Sequence, residues 1–161
     1  MTEAKVKRVL IAEREPEISE TLCEYLEYSG FETVTAKTAE EVLLKVADEA
    51  IGVVIADHCL CCSTSPSVLE KLVEVNPGIV VIMMLSYPMV DYVIEAYRKG
   101  AFDVIVKPVD LFELDDILRR GFGQYEMNKV YHFVSKNLDR INQVLDSGQL
   151  TEAGLPANYR A

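Results

Sequence analysis

The chain has 161 residues, about one domain by length, and half of them are hydrophobic, enough to bury a core and too many for a disordered segment. Sixteen Lys and Arg face 26 Asp and Glu, a formal net charge of -10; this is the wrong sign for gripping a phosphate backbone, so direct nucleic-acid binding is not expected. The longest apolar stretch, IVVIMML from Ile79 to Leu85, is far short of the roughly 20 residues that span a bilayer, and the opening MTEAKVKRVLIAEREP has no secretory profile, so a soluble cytoplasmic protein without a membrane segment is expected.

The elements follow one another with clear punctuation. VKRVLIA from Val6 predicts a first strand. Pro16 suits a first helical position, Ile18, Leu22, Tyr25 and Leu26 share one helical face, and Gly30 can close that helix in a left-handed conformation. FETVTA from Phe31 is a weaker strand, and Thr38 with Glu41 has capping-box spacing for a second helix. IGVVIAD from Ile51 is the third strand, Pro66 opens a third helix, and GIVVIMML from Gly78 is the fourth strand. Val90, Val93, Ile94 and Tyr97 stripe a fourth helix that ends near Gly100, FDVIVKP from Phe102 is the fifth strand, and Asp110 with Glu113 opens a last helix from about Leu111.

The main strand runs are nearly continuous in Val and Ile rather than alternating, as in parallel strands covered on both faces. Five β-α units joined by right-handed crossovers imply an α/β, doubly wound parallel sheet. Its functional crevice lies beyond the carboxyl ends of the strands. At those ends stand Glu13, Arg14 and Glu15, then Asp57, then Ser86, then Lys107-Pro108. A nucleotide enzyme is disfavoured, because no phosphate-cradling glycine loop follows the first strand.

From Val6 to Arg120, three quarters of the chain, the sequence resembles the receiver domain of two-component response regulators. The resemblance rests on VLIAEREPEI at the start, VVIAD ending at Asp57, IMMLS ending at Ser86, and GAFDVIVKPVD from Gly100. Any one of these is weak, but together, in order and spacing, they are specific. The resemblance implies a flavodoxin-like, five-stranded sheet of order 2-1-3-4-5 and a signalling module rather than an enzyme. A histidine kinase or phosphotransfer protein would place a phosphoryl group on Asp57, Ser86 would hydrogen-bond it, and Lys107, before a cis proline, would pair with it. A downstream output protein, or an output domain missing from these residues, would read the state through the fourth and fifth helices or the tail. A magnesium ion would be held by the acidic pair after the first strand, by Asp57 and by the backbone carbonyl of Cys59.

The chain departs from that pattern where the metal should sit. Its acidic pair is Glu13-Arg14, and a guanidinium has no acceptor to offer a hard cation. Magnesium binding is therefore expected to be weakened or lost. Two arrangements are open: Arg14 stands in for the cation, pairing with Asp57 or its phosphoryl oxygens, or Glu13 or Glu15 reaches the ion. A pseudo-receiver, a phosphorylation-independent interaction module fixed by Arg14, is the rival reading. In the bland version of the site, Asp57 is simply salt-bridged to Arg14 and Lys107. Val104 stands where the family has an aromatic switch residue; Tyr87 is a substitute or, more in keeping with its place, a helix-packing residue. Cys61 and Ser65 replace the Pro and Gly usual after the acceptor.

Cys59 and Cys62 have C-x-x-C spacing, with His58 and Cys61 adjacent; a reduced loop whose thiols merely fill space is the plain reading, and of the special ones a thiol redox pair fits better than a structural zinc site, for which ligands are too few. The tail is a different kind of segment. Residues 1–120 carry 12 basic and 22 acidic side chains and residues 121–161 four of each, so the acidic excess lies wholly in the first part. Met127, Tyr131, Val134, Leu138, Ile141 and Leu145 recur at steps of four and three, a coiled-coil seam that either pairs with a second copy as a homodimer, the favoured reading, or folds back on its own domain, and Gly121 and Gly123 are expected to separate this helix from the one before it. The domain is thus 1–120, a helix covers 121–147, and 148–161 is a flexible tail or linker.

Overall fold

A computed structural model describes residues 7–48, 50–61 and 67–146. The order is β1 (Arg8–Ala12), α1 (Pro16–Tyr28), β2 (Glu32–Ala36), α2 (Ala39–Asp48), β3 (Val53–Asp57), a four-residue turn α3 (His58–Cys61), α4 (Val68–Val75), β4 (Val80–Leu85), α5 (Val90–Arg98), β5 (Asp103–Val106) and α6 (Leu111–Asp146). All five strands pair in parallel in the order β2-β1-β3-β4-β5. Every predicted strand is present.

Alternate residues along each strand feed two cores, one on each face, which is why the runs carry almost no polar residue. Leu10, Val54, Ala56, Val81 and Met83 meet α2 and α4 through Val42, Val46, Leu69 and Leu72. Val9, Ile11, Val53, Ile55, Ile82 and Met84 meet α1 and α6 through Leu22, Leu26, Leu114, Ile117, Leu118 and Phe122.

Local chemistry sets the helix ends. Pro16 starts α1, and Gly30 follows it at φ +89, where a side chain would be strained. Thr38 Oγ1 accepts from the Glu41 N–H at 3.2 Å, and Asp110 Oδ1 accepts from the N–H groups of Phe112 and Glu113 at 2.8 and 3.2 Å. α4 opens on a capping box between Ser67 and Glu70; Pro66, expected to open it, lies outside the described residues.

The stripe of α5 is not buried as a whole: Val90, Ile94 and Tyr97 are exposed, Val93 is half-buried, and the helix seats itself by Ala96. A small residue lets the backbone approach the sheet, and the larger side chains are left outside. Nor do Gly121 and Gly123 break the last helix, which is continuous as α6. Gly121 is buried, and a Cβ there would stand 3.2 Å from Val80; its role is close approach to the sheet.

The compact unit reaches Asn128, whose side chain donates to the Gly78 carbonyl at 3.1 Å. A second unit begins at Lys129; within it Tyr131, Val134, Leu138, Ile141 and Leu145 are all exposed. Gly52, just before β3, lies under Phe122 and Tyr125, and a Cβ there would come within 2.9 Å of the Phe122 ring. Gly52→Ala should therefore destabilise the domain by about 1–3 kcal/mol through overpacking, seen as a lower urea midpoint at unchanged slope.

Candidate functional site

The parallel register ends the strands level with one another: Ala12 pairs with both Ala36 and Ala56, Asp57 with Met84, and Leu85 with Val106. The ladders run one residue further, through Glu13 N–H to Ala36 O at 3.1 Å and Lys107 N–H to Leu85 O at 2.8 Å. Glu13, Asp57, Ser86 and Lys107 thereby stand at one edge of the sheet, and the Lys107-Pro108 bond is cis, as the resemblance implies.

Glu13 and Asp57 are buried carboxylates, 2% and 7% exposed. The Lys107 ammonium donates to both, at 2.6 Å to Glu13 Oε2 and 2.6 Å to Asp57 Oδ2. The remaining oxygens are also held: Glu13 Oε1 accepts from the Glu15 N–H at 3.0 Å, and Asp57 Oδ1 from the Leu60 N–H of the α3 turn at 3.2 Å. Burial disfavours the charge on Lys107, but the hydrogen bonds and charges of Asp57 and Glu13 together outweigh it and raise its pKa above the ordinary value of 10.5.

Arg14 does not complete this cluster. Its side chain is exposed and its Nη2 donates to the Cys59 carbonyl at 3.3 Å. Ser86 is exposed at the end of β4 and, with Lys107, lines a cavity of about 570 Å³ walled by Ile18, Thr21 and Pro108. Val104 is half-buried against the core rather than poised at the surface. Tyr87 is 71% exposed, in the turn where the chain leaves the sheet. His58, the first residue of α3, lies with its ring 4.8 Å from that of Tyr92 on α5. Cys59 is free and exposed, while Cys62 lies outside the described residues.

The donors do not suit magnesium. Among the described residues no three His, Cys, Asp or Glu side chains converge as a metal site. The two carboxylates that face the cleft already share an ammonium, and a guanidinium sits on the Cys59 carbonyl. What sequence reasoning missed is the Leu60 N–H that fixes Asp57; the Cys59 carbonyl, expected as a metal ligand, accepts from Arg14.

Residues 9–119 match the family model described as the response regulator receiver domain, and the chain belongs to that family. It is 32% identical over 124 residues to the regulatory protein AtoC of Escherichia coli, covering 77% of this chain and 27% of that one. It is 33% identical over 118 residues to the response regulator protein FleR of Pseudomonas aeruginosa, covering 73% and 25%. The chain thus spans about a quarter of these curated relatives. A CheY-like receiver domain from Methanospirillum hungatei superposes with a TM-score of 0.70 at 28% identity, over 76% of this chain and 98% of that one. The beryllofluoride-activated NtrC4 receiver domain dimer does so at 0.69 and 28%, over 74% and 99%. Receiver domains are signalling modules, and in general they bind Mg2+ in an acidic pocket. No helix among the described residues is long and apolar enough to cross a membrane.

Lys107→Gln leaves two buried carboxylates without their cation and should destabilise the domain by about 3 kcal/mol at neutral pH. Because the folded pKa is raised, the lysine's contribution is fully present below 10.5 and is lost as pH climbs through the raised value. The stability gap between wild type and variant, from urea melts across pH, should be level from neutral pH up to the ordinary lysine value and narrow above it.

Proposed function

We propose that the chain is a phosphoacceptor receiver, taking a phosphoryl group onto Asp57 from a histidine kinase or phosphotransfer protein and signalling the change to an output protein or domain. The observation that carries this is the meeting of an Asp57 carboxylate oxygen and the Lys107 ammonium at 2.6 Å, beside an open cavity that Ser86 lines. The cation and the hydroxyl line that opening, and the nucleophile is joined to it through Lys107. The Asp57 oxygen attacks phosphorus, the bond from phosphorus to the donor nitrogen breaks, and its electron pair stays on the imidazole, which picks up a proton. Lys107 follows the negative charge from carboxylate to phosphoryl oxygen, and the Ser86 hydroxyl donates to another.

Incubation with acetyl phosphate followed by intact mass should show one phosphoryl adduct on the wild type and none on Asp57→Asn. An unmodified wild type would instead favour the pseudo-receiver, an interaction module independent of phosphorylation, for which the Arg14 contact with Cys59 is the supporting observation. The kinase and output roles rest on family membership and on the exposed apolar side chains of α5, Val90, Ile94 and Tyr97.

The helix from residue 121 onward is proposed to pair with a second copy. Tyr131, Leu138 and Leu145 occupy a positions of a heptad, and Met127, Val134 and Ile141 the d positions, all at least half exposed except Val134 at 47%. The flanking e and g positions, Asn128, Val130, Ser135, Asn137, Asn142 and Val144, carry no charge, so like copies meet no repulsion there. Static light scattering should give a dimer for the full chain and a monomer for Val134→Glu with Leu138→Glu; a monomeric wild type would remove the pairing.

A further inference from the structure

At the cleft edge the structure places two carboxylates, Glu13 and Asp57, on one ammonium, Lys107, and sets a second cation, Arg14, on the Cys59 carbonyl. The formal charge of this group is zero. A carboxylate at position 14 would leave two negative charges in excess, the amount a divalent ion neutralises, so this single residue turns a pocket that calls for such an ion into one with no net charge to attract it.

The geometry agrees with the charge. Arg14 reaches across from the end of β1 to the Cys59 carbonyl, an oxygen of the same cleft edge, at 3.3 Å. Glu13 cannot compensate: it is 2% exposed and both its oxygens are engaged, by the Glu15 N–H and by Lys107. A guanidinium has five N–H donors in a planar fork. The bond to Cys59 uses one, and the exposed side chain has the rest to offer to phosphoryl oxygens.

We propose that Arg14 is the built-in cation of this pocket: it holds the place of the divalent ion, so that the chain binds no Mg2+ there and carries the phosphoryl group of Asp57 on Arg14 and Lys107 alone. The phosphoryl half of this inference rests on the phosphoacceptor reading; the metal half stands without it. In the test reaction the bond from phosphorus to the acetyl oxygen breaks, acetate leaves with the electron pair, and the Asp57 oxygen bonds to phosphorus. No redox partner or further reactant enters.

Two measurements on the full chain decide it. Calorimetric titration with MgCl2 at constant ionic strength should give no saturable heat with wild type, while Arg14→Asp should bind Mg2+ at least about tenfold more tightly. Intact mass after acetyl phosphate should show the same adduct on wild type in EDTA as in magnesium, and an adduct on Arg14→Asp only in magnesium. Arg14→Asn, which removes the cation without adding a charge, should lose the adduct in EDTA; it also serves if the Asp variant fails to melt cooperatively. Saturable Mg2+ binding by wild type at the affinity of Arg14→Asp overturns the proposal. So does a wild-type adduct that forms only with magnesium, or a cooperatively melting Arg14→Asp that gains no Mg2+ affinity. If no variant forms an adduct in any buffer, the phosphoacceptor reading and the phosphoryl half fall together, while calorimetry still decides whether Arg14 occupies the metal's place.

Discussion

Two carboxylates buried a few ångströms from a shared partner repel one another and resist losing water, and the fold sustains Glu13 and Asp57 in that state by one ammonium. For Lys107 to touch both, β1, β3 and β5 must finish at the same height, and the parallel register provides this: the ladder is in step from Ala36 across Ala12 and Ala56, and Leu85 pairs with Val106 at the far side. The apolar strands are thus more than a core. They are the fixed frame on which three charges from distant parts of the chain are brought into contact, and a slip of any one strand would turn its terminal side chain to the wrong face.

The strands were legible because continuous Val and Ile runs admit few other structures, and α1 because Pro16 and Gly30 each answer a definite backbone demand. α5 was legible as a helix but not in its orientation: periodicity finds a stripe, and only packing tells whether the core lies beneath the stripe or beneath Ala96. Gly121 was misread for a related reason. A glycine weakens a helix in isolation, but against Val80 its missing side chain is what allows the contact. At the site, Glu13, Asp57, Ser86 and Lys107 stand out as polar residues closing apolar runs. The partner of Arg14 is a backbone carbonyl, which every residue has, so no letter in the sequence marks it.

The surface around β5 is tied by polar contacts that the sequence does not announce. Tyr97 donates to Asp103 at 2.9 Å, and Arg120 joins Asp103 at 2.8 Å and Asp116 at 2.9 Å. Burial works against the charge on Asp103, yet the Val104 N–H, Arg120 and Tyr97 overcome it and lower its pKa. Individually such exposed pairs contribute little, but together they link α5, β5 and α6 on one side of the sheet. Val104, beside Asp103, lies inward against the core.

α5 has a shallow seat, and that has a mechanical consequence. Most of its apolar side chains are already in water, and its buried residue is a single alanine. Other ties lie at its periphery: the His58 and Tyr92 rings at one end, and the Tyr97 hydrogen bond to Asp103 and the Lys99 pair with Glu70 at the other. Sliding or tilting such a helix would uncover little new apolar surface, whereas moving α1 or α4 would open the core. Such a helix can therefore shift at a lower cost than α1 or α4.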